Sequence, residues 1–136
     1  MVTERRLTAA EKAELDDARE GFAVDEATLP DVLTGLRMGV DDELLFRLGV
    51  WFGDRVAERT GWVWVYLTLG EALEAPGLVS PDRGLCFLPL QSVASAVDAT
   101  PDPWNPAPEP LMVMLARLDA GDRPSGEPGS FALVTP

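Results

Sequence analysis

Apolar positions in this chain recur with two periods, and the change between them divides it into elements. Leu15, Ala18 and Phe22 fall three and four apart, while Glu14 and Asp17 take the other side, the stripe of an amphipathic helix. Thr8-Ala9-Ala10-Glu11 stands before it as a capping box: the Thr8 hydroxyl accepts the Glu11 amide and the Glu11 carboxylate reaches back to Thr8. This predicts a helix to about Glu20, with Gly21 just past its end. Leu29, Val32, Leu33 and Leu36 predict a short second helix with Pro30 in its first turn, limited by Gly35 and Gly39. The third pattern is the strongest. Leu45, Leu48, Phe52 and Val56 form a stripe that Leu44 and Trp51 widen. Asp41-Asp42-Glu43 supplies a cap and first-turn acids for the positive end of the helix dipole. Arg55 and Arg59 suit its other end, and Gly61 ends it after Thr60.

Gly49 and Gly53 lie four apart on this third helix, and each costs roughly 1 kcal/mol relative to alanine. In lipid that spacing mediates helix pairing, but Asp42, Arg47, Asp54 and Arg55 interrupt the apolar run. Close approach of another backbone, expected to be the sheet, is the compensation.

The period then drops to two. Gly61 to Gly70, GWVWVYLTLG, reads as a strand by its β-branched and aromatic content. Glu71 to Pro76 reads as a loop and Gly77 to Ser80 as a short strand. Pro81-Asp82-Arg83-Gly84 is turn chemistry, and Leu85 to Leu88 is a third strand. Connections this short favour antiparallel neighbours. Pro89 then starts a short helix through Val93 and Val97. Residues 99–110 read as a proline-rich connector, stiff and extended, with Trp104 expected to anchor it. Leu111 to Leu118 reads as helix in preference to strand, and Phe131 to Thr135 as an edge strand. The fold class predicted is α+β, one domain over residues 1–136: a small antiparallel sheet of about three strands packed by N-terminal and C-terminal helices.

Composition narrows the chemistry. The chain has no histidine and one cysteine, Cys86, which removes Ser-His-Asp and Cys-His nucleophilic systems and the usual zinc sites. No P-loop, GxGxxG or GxSxG motif occurs. Cys86 reads as a small apolar residue inside a strand. The net charge of −12 opposes binding to nucleic acid and to anionic lipid; it serves solubility and allows a basic protein partner. No secretory leader or apolar span is read at the start of the chain, so a cytoplasmic protein is expected, without cofactor or metal.

Alternation divides the first strand into a face of Val63, Val65, Leu67 and Leu69 and a face of Trp62, Trp64, Tyr66 and Thr68. The first face is expected to be core under the glycine-notched helix. The second is too apolar to lie open. Its cover is the first helix or the proline segment, a second copy of the chain, or another protein or ligand. Trp62, Trp64 and Tyr66 are therefore the candidate binding residues. Glu71 and Glu74 in the neighbouring loop join them as the carboxylates of a candidate small-ligand or enzymatic pocket.

The segments LGVWFG (Leu48 to Gly53), GWVW (Gly61 to Trp64) and LPLQSV (Leu88 to Val93) together resemble a small uncharacterised bacterial domain family. Its members pair a glycine-bearing helix with a Gly-Trp-x-Trp strand. The resemblance spans roughly Asp41 to Asp98 and implies no particular activity. The function expected is a non-enzymatic, acidic protein-binding domain of immunity- or chaperone-like type. The alternatives are a small-ligand binder or carboxylate-dependent enzyme at the aromatic pocket, and a homodimeric structural module.

Overall fold

The computed structural model describes residues 2–99, 104 and 108–136. The elements run β1 (Val2–Arg5), α1 (Ala9–Arg19), a 3-10 turn (Glu26–Thr28), α2 (Leu29–Met38), α3 (Asp42–Thr60), β2 (Val63–Leu69), β3 (Leu73–Val79), β4 (Leu85–Phe87), α4 (Pro89–Asp98), α5 (Pro110–Asp119) and β5 (Ala132–Val134). The predicted caps set the helix boundaries. The Glu11 amide donates to Thr8 Oγ1 at 3.1 Å, and the Thr8 amide donates to Glu11 Oε1 at 2.8 Å, an arrangement worth about 1 kcal/mol. Asp41 accepts the Leu44 amide at the start of α3, and Gly61 ends that helix at φ 77°, a conformation open to glycine at little cost.

The architecture is α+β, as predicted, but the described residues form a five-stranded sheet in the order β1-β2-β3-β4-β5 rather than one of about three strands. Strands β1 to β4 are antiparallel neighbours, and β5 runs parallel to β4. Between those two come α4 and α5, the long crossover that a parallel pair requires. The expected edge strand near the C-terminus is therefore β5. Strand β1 was not anticipated, because four residues beside a charged helix start carry too little alternation to register.

The loop expected at Glu71 to Pro76 is mostly strand. The β2–β3 hairpin pairs as far out as Leu69 with Leu73, and Gly70 at φ 63° opens the turn. Pro76 lies opposite Tyr66, yet β4 pairs only with Leu78 and Val79. Pro76 thus lies beyond the ladder to β4, where a missing N–H leaves no ladder bond unmade. The third strand stops at Phe87, and Leu88 becomes the N-cap of α4. The ambiguous run after the prolines is helix α5, whose Leu111, Met114, Leu115 and Leu118 point into the core. Most of the proline-rich connector lies outside the described residues. Trp104 within it is 93% exposed, so the expected anchoring buries little of its side chain.

The largest difference concerns the two faces of the sheet. The glycine-notched helix covers the aromatic face, not the Val/Leu face. Leu78, Phe87 and Trp62 pack with Leu48, Phe52 and Val56 of α3, Leu33 of α2, Val93 of α4 and Leu115 of α5 in the main core. Phe52 and Phe87 meet edge to face at 6.0 Å. A methyl group on Gly53 would fall 2.4 Å from Trp64 Cζ2 and 2.8 Å from Pro89 Cγ, and one on Gly49 would fall 2.5 Å from Leu90 Cδ2. The compensation for the two glycines is thus the Trp64 ring and the first turn of α4, rather than the backbone of a strand.

The Val/Leu face is buried by curling. Val65, Leu67, Ala75, Val79, Cys86 and Leu88 form a second, small core with Phe131 against it. The edge strand β1 and the β3–β4 turn draw together across this face, where Arg83 Nε donates to Glu4 at 2.6 Å. Gly77 makes the curl possible, since a Cβ there would lie 2.5 Å from Leu67 Cδ1 and 2.8 Å from the Phe87 carbonyl oxygen. Val63, at the end of the face, stays 45% exposed.

Candidate functional site

The five residues singled out from the sequence do not converge. Trp62 is 7% exposed in the main core. Trp64 and Tyr66 are half-buried against a separate cluster of Leu7, Leu15, Ala18 and Val50, so α1 and α3 form their cover. Glu71 and Glu74 are exposed. Glu71 stands in the hairpin turn, and Glu74 pairs across from Thr68.

Tyr66 is closed over by the chain's own N-terminal strand. Arg5 faces Tyr66 in the β1–β2 register, and its guanidinium carbon lies 4.0 Å from the ring centroid, a cation–π contact. Glu11 clamps that guanidinium with both carboxylate oxygens, at 2.7 and 2.8 Å. The Arg5 and Thr8 hydrogen bonds together pull the Glu11 carboxyl down to about 2. One carboxylate therefore caps α1 and ties β1 to it.

Trp64 leads to a different site. Its indole Nε1 donates to Asp54 Oδ1 at 3.0 Å, and Arg19 grips the same carboxylate through Nε at 2.7 Å and Nη2 at 2.9 Å. Helical spacing explains the arrangement: Val50 and Asp54 lie one turn apart on α3, and Val50 packs with Leu15 and Ala18 of α1. Asp54 thereby meets the last turn of α1. The Asp54 hydrogen bonds hold the Arg19 guanidinium above its ordinary value.

Beside this network opens a cleft of about 290 Å³ between α1, α3 and the chain that follows α1. Its walls include Phe22, Val24 and Trp51, with Arg19, Asp54 and Arg55 as the charged groups. The Arg55 guanidinium carbon lies 5.8 Å from the Trp51 ring centroid, and Arg55 Nε is buried without an acceptor. Asp54 is the cleft's carboxylate, and three N–H donors occupy it, so it is poorly placed to act as a base. The two arginines are the groups with donors to offer. Among the described residues no cluster of three or more His, Cys, Asp or Glu side chains is arranged to hold a metal ion.

Arg19, Asp54 and Arg55 were not singled out from the sequence. Asp54 appears there only as an interruption of an apolar helix, Arg55 as another and as a basic residue near that helix's end, and Arg19 is 35 residues from the carboxylate it grips. Cys86 is fully buried, its thiol 3.3 Å from the Phe131 carbonyl oxygen, and burial raises its pKa. No helix among the described residues is long and apolar enough to cross a membrane. No family model, curated protein or solved structure matches this chain.

Proposed function

We propose that this chain is a non-enzymatic binding domain of the cytosol that docks a basic protein through its acidic exterior. The observation that carries this is the distribution of charge. Arg5, Arg19, Arg37, Arg47, Arg55, Arg59 and Arg83 are all engaged in ion pairs within the chain. Glu14, Asp17, Asp31, Asp42, Glu71 and Glu74 are exposed and outside those pairs. Seven of the eleven cations are thus engaged within the fold, and the surplus of a net −12 chain faces solvent. A field of one sign raises the rate of encounter with a partner of the other and orients it. The aromatic face of β2, the other candidate for docking, lies under α1 and α3.

The test is affinity capture from the native cytosol, followed by reconstitution with the purified partner. The expected result is a complex of defined stoichiometry that weakens as salt rises. It also weakens when Glu14, Asp17, Glu71 and Glu74 are replaced together by their amides. A folded, monomeric protein that retains no basic partner at low salt overturns the proposal.

A further inference from the structure

We infer that the cleft between α1 and α3 is a binding site for a small monocarboxylate with a flat apolar body. Two features of the geometry point to this class. The first is shape and lining. About 290 Å³ is at the small end of ligand pockets, room for one ring and a short polar group. Phe22, Val24 and Trp51 offer that ring apolar and aromatic contact.

The second is the state of the two guanidiniums. Arg19 is held in place by Asp54, which fixes its direction at no cost to the ligand. Its remaining partner is Asp16, whose side chain is 72% exposed. Among the described residues Arg55 pairs only with Glu58, 60% exposed, and its buried Nε has no acceptor. Surface pairs of this kind contribute little. A carboxylate entering the cleft can exchange with Asp16 and Glu58 and meet both arginines through charge-assisted hydrogen bonds. The charged residues of the wall itself, Arg19, Arg55 and Asp54, leave one positive charge over, which is shared with the exposed carboxylates of Asp16 and Glu58 at the rim. Distant acids of the exterior act only through about 8–10 Å of screening. A cationic ligand would instead face two guanidiniums and an Asp54 already occupied.

The experiment uses phenylacetate, benzyl alcohol and benzylamine as probes, added to the full chain and followed by the indole N–H signals of Trp51 and Trp64 in proton–nitrogen spectra. Phenylacetate is expected to shift both signals saturably, benzyl alcohol to bind at least about fivefold more weakly, and benzylamine not to bind. Arg55→Gln should weaken phenylacetate about tenfold, the usual loss for one charge-assisted hydrogen bond, and leave benzyl alcohol unchanged. Arg55→Lys, which keeps the charge, should retain most of the affinity and guards against misreading a folding defect. The inference is overturned if phenylacetate causes no saturable shift up to about 20 mM, if the three probes bind alike, or if Arg55→Gln binds phenylacetate as the wild type does. These outcomes are independent of whether a basic protein docks on the exterior.

Discussion

Replacing Gly53 by alanine tests the packing of the aromatic face in a single step. On helix propensity alone the substitution should stabilise α3 by about 1 kcal/mol. The structure gives the opposite sign. The added methyl would lie 2.4 and 2.6 Å from two atoms of the Trp64 ring and 2.8 Å from Pro89. Both neighbours are rigid rings, so relief requires backbone movement, and overpacking of this kind costs about 1–3 kcal/mol. Moving Trp64 also stretches its 3.0 Å bond to Asp54, a charge-assisted bond worth about 1.5–3 kcal/mol when lost outright. Setting these against the gain in propensity leaves a net loss of about 2–3 kcal/mol. With a urea slope of about 1.5 kcal/mol/M, the denaturation midpoint should fall by about 1.3–2 M. Gly35→Ala is the internal control. It lies in α2 with nothing within 4 Å of the added methyl, and it should raise the midpoint by about 0.6 M. Equal shifts in the two variants, or any rise in midpoint for Gly53→Ala, would refute the reasoning.

Asp54→Asn keeps the size of the side chain but loses the charge that Arg19 grips and weakens the acceptor for Trp64. Denaturation should show a loss of about 1–3 kcal/mol, and the Trp64 indole N–H signal should move upfield. Glu11 is held near 2 in the folded chain against 4.5 when unperturbed. Its contribution is thus fully present above about pH 4.5 and is lost as the pH falls toward 2. Asp82 and Asp119, lowered by the Gly84 amide and by Arg59 respectively, act in the same direction. Thermal midpoints should therefore decline on acidification through that window, and less steeply in Glu11→Gln. Cys86 should react with a thiol reagent at pH 8 at least about a thousandfold more slowly than in urea, since reaction requires opening of the second core. Truncation before β5 should speed that reaction.

Much of the helical layer was legible in the sequence because its signals are local. The Thr8–Glu11 box, the Asp41 cap, Gly61 and the three-four spacing of α3 each involve residues within a turn or two of one another. The sheet was less legible. Strand β1 has four residues and acquires its role only from Arg5 lying on Tyr66 and Glu4 meeting Arg83, partners 61 and 79 positions away. The hairpin hid behind Pro76, which argues for a loop until the limited reach of β4 is known. Alternation correctly separated Trp64 and Tyr66 from Val65 and Leu67. It carries no information on which face meets a helix, and in this chain a curl supported by Gly77 buried the other one. The cleft was invisible for the same reason: Arg19 and Asp54 are joined by the packing of Val50 on α1, not by any local motif.

The central claim is that the chain's own helices close the aromatic face of β2. It is tested most directly by hydrogen exchange at the Trp64 indole N–H. Bonded to Asp54 beneath α1 and α3, this proton should exchange at least about a hundredfold more slowly than in a short tryptophan peptide, and Asp54→Asn should remove most of that protection. Exchange at the peptide rate in the folded wild-type protein would contradict the account and return the aromatic face to the list of open docking surfaces.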